Sequence, residues 1–91
     1  MNEKEILIKI IGLLYALKNK AITIEESEQY LFCPRVINEL KKKKINQDVI
    51  EILEYCCEIE DIYSLTPQKY NEKLNEFIEM SINKLKMLNS L

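Results

Sequence analysis

The chain has no histidine or tryptophan, one glycine, two prolines and a single arginine. Without histidine it lacks the commonest general base and metal ligand. Its one glycine, Gly12, excludes a glycine-rich phosphate loop. So few turn-forming residues predict long helices joined by short loops. Arg35 alone offers the planar fork preferred for phosphate and base contacts. A net charge of −2 and a pI near 5.2 give no basic footprint for general nucleic-acid binding. An enzyme is not expected, and no cofactor or metal is implied. Cys33, Cys56 and Cys57 are odd in number, with two adjacent, a poor disulfide framework. They suit the reduced thiols of a cytosol.

Long hydrophobic runs are also missing. The apolar stretch Ile6–Leu17 is too short to span a bilayer. Its leader, MNEKE, is not positively charged, and no small-residue cleavage site follows. A cytoplasmic protein without membrane contact is the expectation.

What is present reads as one all-α domain over residues 1–91, a single compact bundle of about five helices. At 91 residues the chain can bury one modest core. Its 47% hydrophobic and 31% charged residues mark it as globular. Asn2 and Glu5 have capping-box spacing and open a first helix, which Lys18, Asn19 and Lys20 close. Apolar residues surround most of that helix, and Gly12 at its centre predicts a close helix crossing. Thr23 and Glu26 repeat the capping box ahead of a short helix through Phe32. Pro34 starts a third helix that ends in four lysines. The last helix is predicted from Pro67 to Asn89, with Thr66 as its N-cap. Leu85, Leu88 and Leu91 carry its apolar stripe far enough to allow a homodimer.

Between the third and last helices lies Gln47–Tyr63, QDVIEILEYCCEIEDIY, predicted as one continuous helix. Val49, Ile50, Ile52, Leu53, Cys56, Cys57, Ile59 and Tyr63 share an apolar arc at 100° per residue. Both cysteines therefore read as small buried hydrophobes. A soft-metal or redox role for Cys56 and Cys57 is a remote third option. Glu51, Glu54, Glu58 and Asp61 recur on the opposite side at steps of three and four. This stripe is the expected partner-binding surface. Glu60 alone falls inside the apolar arc and is expected to be a buried structural acid, since an unpaired buried carboxylate costs several kcal/mol. Two further acidic groups, Glu25–Glu26–Glu28 and Glu72–Glu76–Glu79, would strengthen a negative surface wherever two adjoin.

The runs Gly12–Pro34 and Glu51–Pro67 resemble a family of short, uncharacterised helical proteins from Gram-positive bacteria. Ile24, Glu25, Glu26, Glu28, Tyr30, Leu31, Phe32 and Pro34 carry the first part of the resemblance. Glu58, Glu60, Asp61, Ile62, Ser64, Leu65 and Pro67 carry the second, with Ile59 where leucine is common. Such proteins are similar to those encoded beside polymorphic toxins. The resemblance implies an immunity protein that binds and occludes a basic toxin domain encoded nearby, and it supplies no catalytic residues. The alternative is a helix-turn-helix-like DNA-binding or regulatory protein using Arg35, Asn38 and the lysines at 41–44.

Overall fold

Both capping boxes form. The Asn2 side chain accepts from the Glu5 backbone N–H at 2.9 Å, and Glu5 accepts in return from the Asn2 N–H. Thr23 and Glu26 exchange the same two bonds, at 3.1 and 3.0 Å. Each box satisfies two of the N–H groups that a helix start leaves without partners.

The computed structural model describes residues 1–90, so Leu91 lies outside it. The chain runs through α1 (Glu3–Lys18), α2 (Ile24–Tyr30), α3 (Pro34–Lys42), α4 (Gln47–Cys56), α5 (Ile59–Leu65), a 3-10 turn (Pro67–Lys69) and α6 (Tyr70–Asn89). It is all-α, with no strand among the described residues. Five helices were expected. Among the described residues there are instead four of nine residues or more (α1, α3, α4 and α6) and two of seven. No helix among the described residues is long and apolar enough to cross a membrane.

The core is continuous. The largest interface is that of α1 with α6; α4 packs next on α6, and α3 on α4. Ile6, Leu7, Ile10 and Leu14 of α1 meet Val49, Ile50 and Leu53 of α4 and Leu74 of α6 in one cluster, all essentially inaccessible to solvent. Each such side chain contributes roughly 1.5–3 kcal/mol of burial. Leu31 and Phe32 complete the core from the link between α2 and α3. They were expected inside the second helix, but that helix stops at Tyr30. Ser27 and Ser81 are buried polar residues whose hydroxyls donate to the Ile24 and Phe77 carbonyls, so neither is left unpaired.

Two expectations about turns fail. Gly12 faces solvent between the exposed Ile8 and Tyr15, and a Cβ added there would meet nothing within 4 Å. No helix crosses at that point. Thr66 does not cap the last helix. Its hydroxyl donates back to the Ile62 carbonyl at 3.1 Å, and a 3-10 turn precedes α6.

The helix stops are built without glycine. After α1, the N–H of Ala21 reaches Ala16 O at 2.8 Å and that of Lys20 reaches Leu17 O at 3.1 Å. After α3, Ile45 reaches Leu40 O at 3.2 Å and Lys44 reaches Lys41 O at 3.1 Å. Both are Schellman closures, which need a left-handed residue at the turn. Lys20 and Lys44, each with φ 58°, occupy the position glycine usually fills. The segment after α3 then ties back to α1, because the Asn46 N–H donates to the Glu3 carboxylate at 3.1 Å. That bond holds the Glu3 carboxyl below its ordinary pKa.

The expected continuous helix over Gln47–Tyr63 breaks at Cys57 and Glu58. The Glu58 N–H reaches back only three residues, to Tyr55 O at 3.0 Å, which tightens the turn. The chain then re-enters helix in a new phase. Ile59 turns into the core, 2% exposed, while Glu60 turns out to solvent. The expected burial of Glu60 is overturned. An unbroken helix would have placed this carboxylate among apolar side chains at a cost of several kcal/mol. The tightened turn avoids that cost.

Candidate partner-binding surface

The outer side of α4 faces the outer side of α6 across a seam floored by Tyr55 and Met80. Tyr55 lies flat against Phe77, with ring centroids 5.9 Å apart and 9° between planes. Its hydroxyl donates to the Glu51 carboxylate at 3.1 Å. That hydrogen bond, with the nearby charges of Glu58 and Glu54, holds the phenol above its ordinary pKa. Three of the four predicted stripe residues thus surround one partly exposed aromatic ring.

Two hollows open along the seam and share Met80. One, of about 340 Å³, is lined by Asp48, Glu51, Ile52, Met80, Asn83, Lys84 and Met87. The other, of about 380 Å³, is lined by Tyr55, Glu58, Ile62, Lys73, Glu76, Phe77 and Met80. Together they form a trough with an apolar floor and charged banks. The α6 acidic row therefore adjoins the α4 row through Glu76.

Cations neutralise part of this surface. Lys84 meets Asp48 at 2.9 Å, Lys73 meets Glu76 at 3.2 Å and Lys41 meets Glu54 at 3.7 Å. In the Lys73–Glu76 and Lys41–Glu54 pairs both partners are solvent-exposed, and such pairs contribute about 0–1 kcal/mol each, so they can exchange partners at little cost, whereas Lys84 is largely buried beside Asp48. Among the described residues neither Glu51 nor Glu58 has a lysine or arginine side-chain nitrogen within 4 Å of its carboxylate oxygens. These two carry the unbalanced charge of the trough.

Asp61 is exposed but does not continue the stripe. It sits on α5, beyond the break, and lines neither hollow. Glu60 belongs to a different place. It borders a cleft of about 570 Å³ with Leu17, Lys20, Ile24, Glu25, Tyr63 and Tyr70 among its walls. Tyr63 and Tyr70 meet edge to face there, 5.0 Å between centroids. Glu60 also approaches Glu28 of α2. Partial burial, then the Glu60 carboxylate, raise the Glu28 pKa above its ordinary value.

Cys56 lies in the core as expected, whereas Cys57, at the break after α4, is only half-buried. Cys56 is 1% exposed, and burial pushes its thiol pKa up. Cys57 is half-buried and pushed up to about 11 by burial first, then by Cys33 and Glu28. Neither is a thiolate at neutral pH, the form that attacks electrophiles and binds soft metals. Among the described residues no three His, Cys, Asp or Glu side chains are grouped to hold a metal ion. On α3, Arg35 spends its guanidinium on Glu39 at 3.3 Å, and Asn38 is exposed beside it.

Sequence periodicity found Glu51, Glu54 and Glu58. It missed Tyr55, Met80 and Met87. Met80 and Met87, seven residues apart, share a helix face, but only the packing of α6 on α4 shows that this face borders the stripe.

The chain matches no curated protein and no solved structure. A family model described as "Protein of unknown function (DUF3969)" matches residues 1–91, and the chain belongs to that family.

Proposed function

We propose that this chain is a small helical protein-interaction module that neutralises a cognate bacterial toxin by covering it, the role of an immunity protein. One observation carries the reading. Glu51 and Glu58, without cations of their own, flank the Tyr55 ring on an exposed seam whose floor is apolar. Unbalanced charge around an apolar centre combines electrostatic steering with a desolvated contact. A toxin that acts on nucleic acid has a basic groove, and an acidic helical plug is complementary to it. The helix-turn-helix alternative finds less support, because Arg35 is the one arginine of a chain with a net charge of −2 and no basic footprint for a nucleic acid.

Co-expression with the product of the adjacent open reading frame, followed by affinity capture, tests the proposal. Rescue of growth and a recovered complex are expected. Reversing both charges, Glu51→Lys with Glu58→Lys, should slow association by roughly tenfold or more at low salt. The deficit should shrink as salt rises. Absence of both rescue and complex would overturn the immunity reading.

A further inference from the structure

We infer that the partner segment seated in the α4–α6 trough is a basic amphipathic helix, and that Met80 is its principal anchor. This rests on the proposed function and names the chemistry of the partner at the same surface.

Shape comes first. The two hollows meet at Met80, so the trough runs along α6 from Lys73 to Met87. At 1.5 Å per residue that is roughly 21 Å, nearly four turns of an α-helix. Among the described residues there is no strand, hence no open sheet edge to which an extended peptide could add. A seam between two helices receives side chains projecting from a third by ridges into grooves.

Chemistry agrees with shape. The floor is apolar along its length, from Phe77 and Tyr55 through Met80 to Met87, which is 61% exposed. Methionine adapts to an irregular apolar surface, which suits it to receive leucine-like anchors at i, i+3 or i+4, and i+7. Glu51 borders one hollow and Glu58 the other, so the two unbalanced carboxylates are spread along the trough. An occupant helix meets both with cations placed on successive turns of its polar face. Acidic banks disfavour an acidic occupant or a nucleic acid. Amphipathic, helical and basic are thus required together.

The intact protein can be titrated with a labelled 14-residue leucine/lysine peptide patterned as an amphipathic helix, followed by fluorescence anisotropy. Two controls accompany it: a scrambled peptide of the same composition and a leucine/glutamate peptide of the same pattern. Wild type should bind the patterned basic peptide roughly tenfold more tightly than either control. Met80→Ala should weaken that binding roughly tenfold, within the range of a central anchor. Met87→Ala, at an exposed position that leaves folding intact, should weaken it about threefold. Ile8→Ala, in the separate α1–α6 groove, should leave it unchanged. Equal binding of the scrambled peptide, or an unchanged affinity for Met80→Ala, would overturn the inference. So would failure of any basic peptide to bind. A neighbouring-gene complex that still depends on Glu51 and Glu58 would then leave the immunity reading intact and remove only the helical occupant.

Discussion

α4 and α5 come from one stretch of sequence with one apolar arc, yet they are held very differently. α4 buries Val49, Ile50, Ile52, Leu53 and Cys56 in ten residues, and the Asn46 side chain caps its start. α5 buries only Ile59 in seven residues and has no side-chain cap. A helix this short has almost no stability of its own and is held by what it packs against. The difference teaches that periodicity assigns a face, whereas the depth of burial along that face comes from tertiary placement. α4 belongs to the cooperative core. α5 is an edge element, expected to open without global unfolding.

Substitutions can break that contrast. Leu53→Ala removes a fully buried side chain and should cost about 2–5 kcal/mol, read from urea or thermal unfolding. Ile62→Ala, at a half-buried position of α5, should cost less than about 1.5 kcal/mol. In hydrogen exchange the α4 amides should be protected close to the global unfolding energy and those of α5 far less. Comparable costs and protection for the two helices would mean that α5 is core after all.

A smaller effect tests the edge electrostatically. Glu28 of α2 faces Glu60 of α5, and its folded pKa lies above the ordinary 4.5. Folding therefore penalises its charged form. The penalty is absent below about pH 4.5, where the carboxyl is protonated folded or unfolded, and complete once pH passes the raised folded value. Glu60→Gln removes the part due to the neighbouring charge and leaves the part due to burial. Its melting temperature at pH 7 should exceed wild type by less than about 4 °C. That gain should vanish as pH falls toward 4. A loss of stability at pH 7 would restore a structural role for the Glu60 carboxylate.

Much of the fold was legible because local chemistry dictates it. Asn2–Glu5 and Thr23–Glu26 are complete capping signals, and the heptad-like spacing of Ile10, Leu14 and Leu17 finds one face of α1. The break after Cys56 was not legible, since neither glycine nor proline marks it. Its one sequence trace is Glu60 itself, a carboxylate that an unbroken helix would bury. The candidate surface was half legible. Glu51 and Glu58 stand in a periodic row, but the apolar floor between them and α6 depends on which faces meet. No single-helix pattern contains that information.

The lysine-closed helix stops carry one more consequence, for engineering. A left-handed residue other than glycine costs roughly 1–2 kcal/mol, against an entropic cost of roughly 0.5–1 kcal/mol for glycine in the unfolded chain. Lys20→Gly and Lys44→Gly should each therefore add up to about 1 kcal/mol, measurable in denaturant melts; a loss at either site would show that its lysine stem packs usefully. Both positions lie outside the trough lining. The protein thus holds an unused stability reserve in its two turns, against which destabilising changes on the α4–α6 face could be offset.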